Sequence, residues 1–216
     1  MLRRNFLAMA AAAGIVMSMP AMAALTEGTD YVKLTNPVPN AQNTVIKVFS
    51  YDCPFCYKYA KGVDKMVMAK VPGMEFVPFH LKTKGKYGLD GSKLLAVALV
   101  KDQAAGLKPL DPKSNFHKVE MGLYTAYHAK KERWTSGVDA FLQTGLDAMG
   151  MSRADYDKAV QDPKVAALVD RWEVSYPIAK IQGVPAYVVN GKYLLMTKTL
   201  KSMDGFANAI KELAAK

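Results

Sequence analysis

Cys53 and Cys56 are the only cysteines of the 216-residue chain, three positions apart in the stretch Cys53-Pro54-Phe55-Cys56. Two thiols at this spacing can exchange a disulfide with a substrate, hold half of a metal site, or close an inert bridge. A bridge across so short a loop restrains the unfolded chain little, so stability is a poor reason for it. A closed structural zinc site needs two more ligands, which only His80, His117 and His128 could supply, and no metal is expected. Haem attachment calls for histidine directly after the second cysteine, where this chain has Tyr57. Disulfide exchange is the reading that gives both sulfurs work.

That chemistry needs one thiol ready to ionise. A helix starting at the motif puts Cys53 at its cap and Pro54 at the first helical position, where a fixed φ and a missing N–H cost little. The free N–H groups and the helix dipole then favour thiolate at Cys53. Thiols of Cys-x-x-Cys motifs fall from about 8.5 to between ~3.5 and ~7.5 in such settings. Cys56, one turn further in, is the resolving sulfur. The three histidines read as hydrogen-bonded or surface residues, and no hydrolytic triad is evident.

The elements that must position the pair are legible around it. Residues 44–51 are β-branched, aromatic and nearly continuous in apolar character apart from Lys47, which predicts an interior strand of a mostly parallel sheet. Helical spacing follows Cys53 until Pro72-Gly73, and strand-like alternation resumes over 74–81. Cys53 therefore sits at a strand-to-helix handover, where ligands and chemistry gather in crossover units. Helical patterns then occupy 92–101, 116–129, 138–149, 154–160 and 165–178, with Ser152 and Asp155 as a variant capping box, Asp162-Pro163 as a helix start, and Pro177 kinking or ending the last. A strand at 186–189, the hairpin turn Asn190-Gly191, a strand at 192–195 and a helix at 203–215 close the chain.

Arg3 and Arg4, an apolar run over 6–19 and Ala21-Met22-Ala23 read as an export signal, with the mature chain starting near Ala24 in the periplasm. No later stretch approaches the roughly 20 apolar residues of a spanning helix. The formal charge is +10, and the first 23 residues hold two arginines and no acids, so +8 remains on a mature chain of 193 residues. Such a surface suits an acidic protein partner or anionic lipid; export argues against nucleic acid. The organisation is α/β: a sheet domain over 24–82 and 173–216, interrupted by an all-helical insertion over 83–172.

The stretches from Phe49 to Tyr57 and from Gly183 to Tyr193 resemble the DsbA family of periplasmic thiol:disulfide oxidoreductases, over nearly the whole mature chain. The resemblance implies a thioredoxin fold with an inserted helical subdomain, a catalytic pair Cys53 and Cys56 that needs no external cofactor, and a cis-proline at Pro185, preceded by Val184, facing the disulfide and the incoming substrate. Three departures stand out. Phe55 replaces the histidine of DsbA itself and cannot donate to the Cys53 thiolate. Lys47 stands where the family often has a buried glutamate, so an ammonium either helps hold Cys53 as thiolate or snorkels to water at a sheet edge. Lys58, Lys61 and Lys65 share one helix face, with Lys82, Lys84 and Lys86 close in sequence, as a solvated face or as a basic collar for acidic substrates.

Phe55 and the basic character are similar to a specialised branch of the family that works with its own membrane oxidase and an arylsulfate sulfotransferase. The expected function is oxidation of reduced exported proteins, with reoxidation by a quinone-linked membrane partner of the DsbB/DsbI type, by a monomer. An isomerase or reductase on the same fold, or a basic chaperone-like binding module, are the alternatives.

Overall fold

The computed structural model describes residues 24–216, so the export segment expected at 1–23 lies outside the described residues. The six residues of β2, Thr44–Phe49, are all buried. This strand is one of three inner members of a five-stranded sheet ordered β1-β5-β4-β2-β3, with β1 at Tyr31–Lys33, β3 at Glu75–His80, β4 at Ala186–Val189 and β5 at Tyr193–Leu195. Only β2 and β3 run parallel; the β2/β4, β4/β5 and β1/β5 pairs are antiparallel. The expectation of a mostly parallel sheet is thus corrected to a mixed one. Its apolar run reflects burial on both faces, and that burial does not require parallel neighbours.

Opposite faces of the sheet feed different cores. Val45, Tyr187, Val189 and Leu195 share a cluster with Val67, Phe206, Ile210 and Leu213, whereas Ile46, Val48, Ala186, Val188 and Leu194 share one with Ile178 and the helical layer. That layer comprises α3 (Gly88–Ala104), α4 (Asn115–Tyr124), α5 (Val138–Met149), α6 (Arg153–Ala159) and α7 (Pro163–Arg171), all between β3 and the helix that leads into β4. Ser152 and Asp162 cap α6 and α7 through their side-chain oxygens, as their sequence context predicts. The pattern over 165–178 is broken by a 3-10 turn at Trp172–Val174, and Pro177 lies in the first turn of α8, Ser175–Gln182, where a missing N–H is tolerated. Of the two expectations for Pro177, the kink holds and the end does not: the break lies one turn upstream and the helix resumes through the proline.

The turn at Asn190-Gly191 holds both residues in the left-handed region, at φ 52° and 65°. A Cβ on Gly191 would lie 2.4 Å from the Val38 carbonyl oxygen, so glycine is required by conformation and by the close approach of the extended opening segment. The last helix, α9 at Met203–Ala214, packs beneath β4 and β5. Strand order and helix placement are those of a thioredoxin fold with an inserted helical subdomain.

His80, at the end of β3, shows how the helical layer is joined to the sheet. It is fully buried, stacks on Tyr51, and shares a 2.8 Å hydrogen bond between its Nδ1 and the Ser92 hydroxyl of α3. Burial pushes its imidazole down to about 3. The unfolded chain takes up that proton near pH 6.5 and the folded chain does not, so this stability contribution is complete above about pH 6.5 and is lost as pH falls toward 3. Denaturation midpoints measured over pH 7 to 4 should show the wild type losing up to about 1.4 kcal/mol per pH unit more than His80→Asn. Parallel pH profiles for the two proteins would remove His80 from the account.

Candidate active site

Cys53 ends the connection from β2 and caps α1, Pro54–Lys58, with an extended backbone at φ −88° and ψ 115°. Its Sγ accepts the Cys56 N–H at 3.1 Å, its own N–H donates to the Ser50 carbonyl at 3.1 Å, and Pro54 occupies the first helical turn. Both cysteines are buried free thiols. The Cys53 thiol donates to the Val184 carbonyl at 3.2 Å, and the Val184-Pro185 peptide is cis. Sequence elements 131 positions apart therefore meet on one sulfur.

The two thiols have opposite tendencies. Cys53 is held below its ordinary value by hydrogen bonding from the Cys56 side chain, against burial, and further by the Cys56 backbone N–H, the Lys84 charge and the Phe55 backbone N–H. Cys56 is pushed well above its ordinary value by burial and by its role as donor to Cys53. What the Phe55 side chain cannot donate, the Phe55 backbone supplies. Its ring is 64% exposed and lines, with Cys53, Leu81, Tyr176, Ala179 and Val184, an open and largely apolar groove of about 510 Å³. Lys84 and Lys180 reach the same groove. The arrangement offers an ionisable sulfur, a neutral reserve thiol behind it, and an accessible peptide edge in front.

Lys47 is not at a sheet edge and does not snorkel. It lies on β2 between β3 and β4, fully buried, 2.6 Å from Asp64 and 3.5 Å from Glu120. Asp64 comes from α2, Asp64–Met68, which follows a π turn at Tyr59–Val63 that breaks the helix begun at Pro54; Glu120 comes from α4. The Tyr187 hydroxyl donates to Asp64 at 2.5 Å. Burial would strip the Lys47 proton, but Asp64 and Glu120 outweigh it and hold the ammonium well above its usual range. Burial pushes Glu120 up despite Lys47. The local electrostatics are not simply reversed, because two acids from other elements meet the cation. The effect of Lys47 on the thiol pair falls on Cys56, which it pulls down against burial.

The remaining candidates divide. His128 places Nε2 at 3.1 Å from the Tyr51 carbonyl and stacks on Tyr57, while His117 is half-buried on α4 and lowered by burial and by Lys65 and Lys47. No cluster of metal-binding side chains occurs among the described residues. Lys58, Lys61 and Lys65 are exposed, Lys61 over the Tyr57 ring; Lys82 pairs with Glu173, Lys84 with Asp52 at 3.2 Å, and Lys86 lies over Tyr87. Asp64, Glu120, Tyr187 and Asp52 escaped sequence reasoning. The only signal for the first two is the buried ammonium itself, which demands carboxylate partners without saying where they come from.

The DSBA-like thioredoxin domain family matches residues 44–211. This chain belongs to that family. It is 56% identical to the thiol:disulfide interchange protein DsbL of Escherichia coli O6:H1 over 196 residues, 89% of this chain and 88% of that one. It is 31% identical to the interchange protein DsbA of Salmonella typhimurium over 95% and 97% of the two chains. The crystal structure of DsbL from Salmonella enterica serovar Typhimurium superposes with a TM-score of 0.87 at 55% identity, covering 90% of this chain and all of that one. The protein is a thiol:disulfide oxidoreductase of the DsbA family and is similar to DsbL over most of its length. No helix among the described residues is long and apolar enough to cross a membrane.

Removing the Lys47 charge would leave two carboxylates buried without a cation. Lys47→Met is expected to lower folding stability by about 3–5 kcal/mol in denaturant titrations at neutral pH, with a smaller deficit in acid as the carboxyls take up protons. The Cys53 thiolate absorbance should titrate in Lys47→Met as in wild type; a raised Cys53 pKa would instead make Lys47 a direct partner of that sulfur.

Proposed function

We propose that this protein is a periplasmic dithiol oxidase that donates its Cys53–Cys56 disulfide to reduced exported proteins. A substrate thiolate attacks the Cys53 sulfur, the bond to Cys56 breaks, and a mixed disulfide forms. A second substrate thiolate then attacks its partner sulfur in that mixed disulfide and releases Cys53. The substrate dithiol has become a disulfide, and the enzyme holds a thiolate at Cys53 and a thiol at Cys56. The observation that carries this direction is the Cys53 sulfur accepting the Cys56 N–H at the start of α1. It favours the reduced enzyme, and a protein whose dithiol form is stabilised oxidises others. The Val184 and Pro185 edge receives the extended substrate, with Pro54 and Phe55 shaping the approach to Cys53.

Electrons enter and leave through the cysteine pair, so the reaction calls for no further cofactor. A quinone-linked membrane partner of the DsbB/DsbI type restores the disulfide. The high identity to DsbL, the exposed Phe55 and the basic face at Lys58, Lys61 and Lys65 support a specialised substrate, an arylsulfate sulfotransferase, bound by a monomer and selected in part by charge. Nucleic acid has no place in this scheme.

Equilibrating the cysteine pair with glutathione should give a strongly oxidising couple, and a strongly reducing one would reverse the assigned direction. Cys53→Ser should abolish oxidative refolding of a reduced substrate; retained refolding would leave the exchange reading without the sulfur that forms the mixed disulfide. Exchange with an acidic substrate should slow as salt rises across the range where surface charges become screened, and rates indifferent to ionic strength would reduce the basic face to a solvated one.

A further inference from the structure

Ser50, Asp52 and Cys53 lie within four residues between β2 and α1, and Lys84 joins them from the segment after β3. Asp52 accepts the Ser50 hydroxyl at 2.9 Å and pairs with the Lys84 ammonium at 3.2 Å. The Ser50 oxygen also lies 3.4 Å from the Lys84 carbonyl, and its own carbonyl receives the Cys53 N–H. The Asp52 side chain is only 13% exposed and that of Lys84 is 42% exposed, so a fixed carboxylate anchors a partly mobile ammonium. Lys84 and Cys53 line the same groove. The other charged groups near this mouth are otherwise placed: Lys82 is engaged by Glu173, Lys180 stands on α8, and His128 is bound to the Tyr51 carbonyl.

One ammonium thus pairs with Asp52 and lines the groove of a second group that can become an anion, Cys53, and of the two anions only one is permanent. The Asp52 carboxylate persists in both redox states, whereas the Cys53 anion exists only after the disulfide has been reduced. We propose that Asp52 and Lys84 form a redox-coupled charge clamp, in which Lys84 is held by Asp52 while Cys53 and Cys56 are bridged and is shared with the Cys53 thiolate once they are reduced. Lys84 then stabilises the reduced enzyme, and Asp52 limits how much of that positive charge the thiolate receives. Both are positioning residues for the exchange described above, and the clamp rests on that reading. In each turnover the substrate dithiol loses two electrons and two protons. The Cys53–Cys56 bond gains the electrons, Cys56 keeps one proton, the other is released, and the negative charge stays on Cys53 beside Lys84. The lowering of Cys53 by the Lys84 charge agrees with this placement.

The clamp gives opposite signs for its two members, which a merely structural pair would not. Lys84→Met should raise the Cys53 pKa in thiolate-absorbance titrations and shift the glutathione equilibrium about two- to tenfold toward a weaker oxidant, a tenfold change being about 30 mV. Lys84→Arg should restore both values. Asp52→Asn, which keeps an oxygen for Ser50, should lower the Cys53 pKa and strengthen the oxidant. In a Lys84→Met background the Asp52→Asn shift should shrink, because its route through the ammonium is gone. Equal Asp52→Asn shifts in both backgrounds, or a Lys84→Met protein with the wild-type pKa and equilibrium, would overturn the clamp. The wild-type glutathione equilibrium alone decides the proposed direction of exchange, so the two readings fail separately. Should Asp52→Asn fold poorly, Asp52→Ser takes its place with the same expected signs, and a Lys84→Met protein with wild-type values still overturns the clamp.

Discussion

A helix start leaves backbone N–H groups without partners, and in most proteins a serine, threonine or aspartate oxygen meets the first of them. Here that position is held by the sulfur of Cys53. The substitution ties redox state to local structure. A thiolate is a better acceptor for the Cys56 N–H than a sulfur already bonded to its neighbour, so reduction strengthens the cap and oxidation weakens it. By the same cycle, whatever stabilises the thiolate makes the disulfide form the less stable of the two folds. The strand before the motif, the Val184 carbonyl in front and the backbone N–H groups behind all serve to hold one sulfur in that position.

The support beneath this cap is polar where apolar packing would be expected. Lys47 sits in the strand that lies between β3 and β4, and its ammonium draws Asp64 and Glu120 inward from two helices that otherwise belong to different parts of the chain. A lone buried charge would be prohibitively costly, and a cation with two carboxylates is tolerable only because Tyr187 takes up a further lone pair of Asp64. The cluster therefore fixes the register of α2 and α4 against β2 as no set of interchangeable aliphatic side chains would. It lies behind Cys56, the thiol that must stay protonated for the exchange to pause between its two steps.

Local signals carried much of this in the sequence. The Cys-Pro-Phe-Cys spacing, the caps at Ser152 and Asp162 and the Asn190-Gly191 turn each depend on a few neighbouring residues, and each has the expected geometry. Convergence of distant residues was not legible. Asp64 reads as one more polar residue on an amphipathic helix until the π turn at Tyr59–Val63 sets the face of α2, and Glu120 reads as ordinary surface charge on α4. Pro177 signalled a break without saying whether the chain would stop or bend there, and it bends one turn upstream at Trp172–Val174. The sheet misled because continuous apolar character reports burial on two faces, which antiparallel neighbours provide as well as parallel ones.

One consequence concerns the border of the sheet. Of its two outer strands, β1 has three residues, and β3 carries Pro78, which has no N–H to offer a newcomer. An outer strand with all its N–H and C=O groups free is a template on which other chains can pair. With one border short and the other interrupted by a residue that has no N–H, this sheet offers little continuous backbone to an added strand. The same proline that reads as a flaw in a strand works here as a guard against edge-to-edge association.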